Sequence, residues 1–424
     1  MIASFDRRTL IDRFDAGFGK RLDRLIGLEF ELVGVLEDSS EAVPYSGQRR
    51  SVATVLERMC ADHGWHAVGG EPLLELERDG SRITLEPGAQ VELSARPFEN
   101  LADVRVELLR FLSELEEASR DLSIAWLPSG MQPRSRPDEI VVIPKPRYEI
   151  MTRYLPTRGD HALWMMRTTA GMQVNLDVLS PAEAARKMRL ALRLCPVITG
   201  LLANSPLSEG RVNGFLSRRA FVWRDVDPDR CGVPEACIAP GATTADYVDW
   251  ALDAGMFFIE RDGALVDMTG VSFREYLDGG ARGHEPAIED WTLHLTTLFP
   301  EARLKEYLEI RCADSNRPDR AMGYVALCVG LFYGDEETVS AAERLVLDWS
   351  HEELLSFHER VAREGLRARS PGGRRAGDLA RELLGLASAT LSRSSAEDRA
   401  LLAPLEELAN SNATPADELL AELA

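Results

Sequence analysis

The chain has 424 residues, 45% of them hydrophobic and 28% charged, close to the globular average, which excludes disorder throughout and allows one large domain or several ordinary ones. Its 69 acidic and 49 basic residues give a net charge of −20, which repels a phosphodiester backbone and an anionic bilayer, so neither nucleic acid nor membrane is an expected partner. A small anionic substrate stays open, because a local cluster of arginines outweighs the global field at close range.

No stretch approaches ~18 uninterrupted apolar residues, and the charged start Met1-Ile-Ala-Ser-Phe-Asp-Arg-Arg8 lacks the apolar segment of a secretory signal. Cys60, Cys195, Cys231, Cys237, Cys312 and Cys328 are scattered without a CxxC pair, so reduced, mostly buried thiols are expected rather than zinc or disulfides. The expectation is a cytoplasmic protein.

In chain order, residues 1–24 read as an amphipathic helix ending near Lys20-Arg21, and Ile26-Gly-Leu-Glu-Phe-Glu-Leu-Val-Gly34 reads as a strand with Glu29 and Glu31 on one face. Val52, Val55, Leu56 and Met59 recur at helical spacing within 45–65. From Arg82 to Ser94 the pattern alternates: Ile83, Leu85, Val91 and Leu93 share one parity, Thr84, Glu86, Gln90, Glu92 and Ser94 the other. Pro87-Gly88 in its middle marks a bulge or a break between two short strands. Leu101, Val104, Leu108, Phe111, Leu112 and Leu115 then predict a core-facing helix over 99–121.

Val141-Val-Ile-Pro-Lys-Pro leads into a segment holding Arg147, Tyr148, Met151, Arg153 and Tyr154. Guanidinium forks beside aromatic rings suit a carboxylate screened from water. Gly171-Met-Gln-Val-Asn-Leu-Asp-Val178 alternates again, with Gln173, Asn175 and Asp177 on its polar face. A capping box at Ser180-Pro-Ala-Glu183 starts a helix that Pro196 is expected to kink or end. Ser217-Arg-Arg-Ala-Phe-Val-Trp-Arg-Asp225 repeats the arginine–aromatic mixture. In Tyr307-Leu-Glu-Ile-Arg311, Glu309 and Arg311 share the polar face of a strand; Val325–Tyr333 is apolar and buried. From Ser340 the chain reads as helical, divided into about three helices by a break at 370–375 and a cap at Thr414. The expected organisation is a catalytic unit over 1–340 with a helical segment over 341–424 packed on it.

If the polar strand faces are neighbours in a curved antiparallel sheet, five glutamates converge on one concave surface. They cannot all stay ionised without compensating positive charge. Oxygen-only ligands select Mg²⁺, with Mn²⁺ possible, and magnesium usually keeps phosphates among its ligands, which points to a nucleotide. The alternative is a sheet with a solvated outer face. No Walker A, GxGxxG, HExxH or GxSxG pattern occurs.

With these residues located, the sequence resembles the plant and proteobacterial branch of the glutamate–cysteine ligases, within the carboxylate–amine ligase superfamily that contains glutamine synthetase. The resemblance spans roughly residues 20–345. It rests on Ile26-Gly-Leu-Glu-Phe-Glu, Ile83-Thr-Leu-Glu-Pro-Gly-Ala-Gln-Val-Glu-Leu-Ser, Pro144-Lys-Pro-Arg-Tyr-Glu-Ile-Met, Met172-Gln-Val-Asn-Leu-Asp, Ala203-Asn-Ser-Pro-Leu-Ser-Glu-Gly, Asn213-Gly-Phe-Leu-Ser, His294-Leu-Thr-Thr-Leu-Phe-Pro and Tyr307-Leu-Glu-Ile-Arg, in that order.

It implies an α+β fold, a curved antiparallel funnel backed by helices, with ATP and magnesium at one end and amino acids at the other. It carries the metal ligands onto Glu29, Glu31, Glu86, Glu92, Gln173 and Glu309, and the contact with the transferring phosphate onto Arg311. Arg147 and Arg219 would grip the α-carboxylate of glutamate, with Tyr148, Met151, Tyr154 and Trp223 lining the pocket. The implied reaction phosphorylates the glutamate side chain with ATP, and the amine of cysteine then attacks the acyl phosphate. Which group accepts the amine's proton stays open. A different amine acceptor and a catalytically silent homologue are the alternatives; a monomer or homodimer acting on small molecules is expected. Where the family runs Arg-Gly-Ala-Asp-Gly-Gly, this chain has Arg311-Cys-Ala-Asp-Ser-Asn316, and Cys328 stands where a tryptophan is usual. Those departures raise the expectation of a changed wall near Arg311.

Overall fold

The computed structural model describes residues 6–20 and 24–424. Of the N-terminal helix expected over 1–24, Arg7–Asp15 forms, with the Asp6 carboxylate capping it; residues 1–5 and 21–23 lie outside the described residues.

Alternating sequences become one nine-stranded sheet among the described residues: β1 (Ile26–Leu36), β2 (His66–Ala67), β3 (Glu75–Arg78), β4 (Ser81–Leu85), β5 (Val91–Ser94), β6 (Ile124–Leu127), β7 (Gly171–Asp177), β8 (Ala302–Leu304) and β9 (Tyr307–Asp314). They run β8-β9-β7-β1-β5-β4-β3-β2, every pair antiparallel, with β6 on the far end of β1. β1 is the spine because its first half is flanked on both sides, and period-two alternation then sends Leu28, Phe30 and Leu32 into the core while Glu29 and Glu31 face the other way.

The apolar face packs on the helices Leu101–Ser119, Pro181–Leu201 and Pro318–Phe332. Behind them lie His351–Glu364 and Ala376–Ser394, and a single buried cluster runs from Leu10 to Ala409. The Ser180 side chain caps the helix Pro181–Leu201 as expected, but Pro196 does not end it. Losing one helical hydrogen bond at proline costs ~3 kcal/mol. Leu194, Val197, Ile198 and Leu201 around it are all buried, at ~1.5–3 kcal/mol each. Burial wins, and the helix continues for another turn and a half.

Pro87-Gly88 resolves as a break: Glu86 to Gln90 form the tight turn between β4 and β5, with Glu86 N–H donating to Gln90 O at 3.0 Å. Gly88 is required there, since a Cβ would meet the Arg167 carbonyl oxygen at 2.2 Å. Past residue 345 the described chain forms five α-helices rather than three, although the break at 370–375 and the Thr414 cap fall where expected. The boundary placed at residue 340 lies inside the helix Glu336–Arg344.

Candidate active site

Register decides which polar side chains meet. Glu31 is opposite Glu92, Glu29 opposite Gln173, and Glu92 opposite Thr84, whose hydroxyl donates to it. With Glu86 on the adjoining turn, Glu31, Glu92 and Gln173 line one side of a cavity of about 180 Å³. Arg147, Tyr148 and Met151 come to it from the helix Pro146–Tyr154, Arg219 and Trp223 from the helix Arg218–Trp223, and Arg311 from β9. The two arginine–aromatic segments, far apart in sequence, therefore face the carboxylate strands across one space.

Three expected residues stand elsewhere. Glu29 lines a neighbouring cavity of about 480 Å³ with Lys20, Arg82, Arg96, Asn175 and Tyr307, and accepts a hydrogen bond from Asn175 at 2.9 Å. Tyr154 leaves the pocket wall: at the helix end it turns onto Phe257, edge to face at 5.8 Å. Glu309 is fully buried, and cations surround its oxygens. Arg303 donates to it from Nε at 3.1 Å and from Nη2 at 2.9 Å to each oxygen, Lys305 Nζ lies 2.9 Å away, and Arg311 Nη1 donates to Oε1. A carboxylate held by three cations serves them as a common counter-ion.

The electrostatics divide the cavity. Burial pushes the Glu31 carboxyl up to about 7, helped by Glu86 and opposed by Arg219, by the Gln173 amide at 2.6 Å and by the Gly171 N–H at 2.7 Å. Burial also raises Glu86, against the pull of Lys145 and Arg311, and raises Glu92 further because Glu29, Glu86 and Glu31 all face it. Burial would raise Glu309 as well, yet Arg303, Lys305 and Arg311 outweigh it and hold that carboxyl far below the usual range. One side of the cavity is thus short of positive charge and the other rich in it.

Sequence reasoning missed Arg303 and Lys305, and gave no role to Thr296, Thr297 and Phe299, which it held only within the motif His294–Pro300. Arg303 and Phe299 line the cavity beside both threonines. Arg303 lies on β8 directly opposite Glu309, and the one available signal was its spacing, six residues ahead, across a hairpin. The Arg311 guanidinium sits 5.8 Å from the Trp223 ring centre and 5.7 Å from that of Phe299, so both rings flank it.

A family model described as glutamate–cysteine ligase family 2 matches residues 25–422. The chain belongs to glutamate–cysteine ligase family 2. It is similar to the chloroplastic glutamate–cysteine ligase of Brassica juncea, 36% identical over 418 residues, which covers 98% of this chain and 80% of that protein. The Oryza sativa subsp. japonica glutamate–cysteine ligase B, also named chloroplastic, is 36% identical over 399 residues, 93% of this chain and 79% of its own length. Among solved structures, a glutamate–cysteine ligase from Francisella tularensis in complex with AMP shares the fold, with a TM-score of 0.56, 13% identity and coverage of 96% of this chain and 85% of that one.

The departures from the family pattern lie behind the cavity wall. Cys312 and Cys328 are buried, the latter on the helix Pro318–Phe332; Ser315 donates to the Glu31 carbonyl at 2.5 Å, and Asn316 donates to the Leu202 carbonyl at 2.9 Å. None lines the cavity. They support the strands that carry Glu31 and Arg311, so an effect on acceptor choice would have to be indirect.

For a divalent cation the donor set fits in chemistry. Gln173 Oε1 is a buried oxygen without a partner beside Glu31, Glu86 and Glu92, three carboxyls that burial raises, with Glu86 raising the other two further. Among the described residues no three acidic, histidine or cysteine side chains are already drawn together as a metal cage. Also among the described residues, no helix is long and apolar enough to cross a membrane.

Proposed function

We propose that the chain is an ATP-dependent ligase that joins the side-chain carboxylate of L-glutamate to the amine of L-cysteine through an acyl phosphate, releasing ADP and phosphate. The observation that carries this reading is the division of one cavity between buried carboxyls raised above their ordinary range and the guanidiniums of Arg147, Arg219 and Arg311. An amino acid dicarboxylate needs the second set; a nucleotide with its cation needs the first.

In this reading Arg147 and Arg219 hold the α-carboxylate, while Tyr148, Met151 and Trp223 exclude water around it. Arg311, with unclaimed guanidinium nitrogens facing the cavity, supports the oxygens of the transferring phosphoryl group. The nucleotide occupies the wider neighbouring cavity, whose Lys20, Arg82 and Arg96 offset phosphate charge. Mg²⁺, with Mn²⁺ as a substitute, would be held by Glu31, Glu86, Glu92 and Gln173, with Glu29 reaching from the nucleotide side; it supplies charge withdrawal at the phosphoryl group. All six cysteines are free thiols, which fits a reducing compartment such as the cytoplasm. The working assembly is read as a monomer or homodimer.

Phosphate release from ATP with Mg²⁺ and L-glutamate, across a panel of amines that includes cysteine, tests the reading. Turnover with cysteine is expected. No turnover with any amine would end it, and turnover with another amine alone would leave the ligase chemistry and replace the acceptor.

A further inference from the structure

Arg303 lines the cavity, yet its guanidinium has nothing left to offer a ligand. Nε and Nη2 are spent on Glu309, and Nη1 donates to the carbonyls of Thr296 at 3.2 Å and Leu298 at 3.0 Å. It ties β9 to the segment that supplies Thr296, Thr297 and Phe299 to the wall. Arg311 is the opposite case: among the described residues only Nη1 is engaged, and its partner is Glu309. The three residues form a line, Arg303 to Glu309 to Arg311, anchored at one end in backbone carbonyls and open to the cavity at the other.

The setting makes the anchor necessary. Arg303, Lys305 and Arg311 share a single carboxylate, so like charges press on one another inside a buried site. Arg311 has a choice of carboxylates, since Glu29 and Glu31 also act on it. A free guanidinium would swing toward those acids. A bidentate Arg303 fixes the Glu309 oxygens in one orientation, and that orientation selects the Arg311 rotamer.

We infer that Arg303 is a positioning residue for the ligase reaction, which acts through Glu309 to aim Arg311 at the transferring phosphoryl group; this rests on the ligase reading above. Lysine at 303 keeps the charge but cannot bridge both oxygens and both carbonyls.

The test compares Arg303→Lys, Arg311→Ala and the double variant with the wild type, in the same assay with ATP, Mg²⁺, L-glutamate and L-cysteine. R303K should lose on the order of 10²-fold in kcat, because a small displacement of an aiming group costs that much. Its KM for glutamate and the Mg²⁺ concentration for half-maximal rate should move little. The double variant should be no slower than R311A alone, since the path runs through Arg311. Losses that multiply, or a raised Mg²⁺ requirement in R303K, would overturn the inference in favour of a structural or metal-linked role. An inactive wild type would instead sink the ligase reading. A readout independent of turnover is the crystal structure of R303K, with Glu309→Gln as the second variant should R303K fold poorly. The Arg311 guanidinium is expected to leave its place between Trp223 and Phe299, and an unmoved Arg311 in the variant structure overturns the proposal.

Discussion

Gly171 is empty because Arg219 fills the space its side chain would take. A Cβ there would stand 2.6 Å from Arg219 Nη2 and 3.1 Å from the Ala313 carbonyl oxygen, while the Gly171 N–H donates to Glu31. Gly171→Ala should therefore displace the guanidinium without removing it. Overpacking of this kind costs ~1–3 kcal/mol, and if it falls on substrate binding the KM for glutamate rises about tenfold with a smaller change in kcat. Steady-state kinetics beside a melting curve check this; an unchanged KM would take Arg219 out of the glutamate grip. Arg311→Ala acts at the other end of the reaction, and its kcat should fall by on the order of 10²-fold with normal folding. At this scale the sequence was most informative where alternation holds, as for Glu31, Glu92 and Gln173. It was least informative where a side chain's partners come from register, as for Glu309, whose partner Arg303 faces it from the neighbouring strand of a hairpin. Tyr154 fails for another reason: it sits in the last turn of its helix, where Phe257 offers a better apolar contact than the cavity.

Among the elements, the helix His351–Glu364 shows how a distant segment braces the sheet. Its His358 is buried and hydrogen-bonded to Thr199 Oγ1 at 3.1 Å, and that hydroxyl also donates to the Cys312 carbonyl on β9. Burial and the nearby Arg224 push the His358 imidazole down to about 3, and burial does the same to His294 on the buried side of the helix Ile288–Leu295. Both are neutral when folded but take up a proton near pH ~6.5 when unfolded. Their stabilising contribution is therefore complete above that pH and is lost as the pH falls from there toward 3, at ~1.4 kcal/mol per histidine per pH unit. Urea midpoints at pH 7 and pH 5 should show the wild type losing stability on acidification. His358→Gln should start lower at pH 7 and lose less, and equal losses would contradict the buried neutral imidazole. The strands and the main helices were legible from period and capping. Pro196 was not, because a local helix breaker was overridden by burial that exists only in the tertiary structure.

Across the whole molecule, the helices beyond residue 345 are not an appendage. They cover the outer faces of Pro181–Leu201 and Pro318–Phe332, and one buried cluster spans them and the sheet. A chain ended at residue 340 would cut the helix Glu336–Arg344 and strip Val361, Leu405 and Ala387 from Gly200, Gly323 and Gly330 on the two inner helices. It should express as an insoluble or molten species, read by the loss of near-ultraviolet circular dichroism and of a cooperative melt. A soluble, cooperatively folded 1–340 fragment would restore the two-unit division. That division was drawn where composition turns helical and charged, but charge reports only the solvent side of a helix, and the packed side decides what is a unit.

Between Ile310 and Ala313 β9 carries one residue more than β7 opposite it, so Arg311 and Cys312 together face Gln173. Before that point the odd-numbered residues lie on the sheet face that carries Gln173 and Asn175; after it Asp314 does, opposite Gly171, where it accepts from the hydroxyls of Ser205 and Ser217. The strand thus changes step midway, and the bulge at Arg311 and Cys312 absorbs the extra residue and brings Asp314 back opposite Gly171. Substitution there by another small residue leaves the phase intact. Pairing residue for residue through this point, with no bulge to absorb the extra residue, would turn Asp314 into the helix layer and drop both hydroxyl contacts at once: a frameshift in space, with the reading frame of the gene undisturbed.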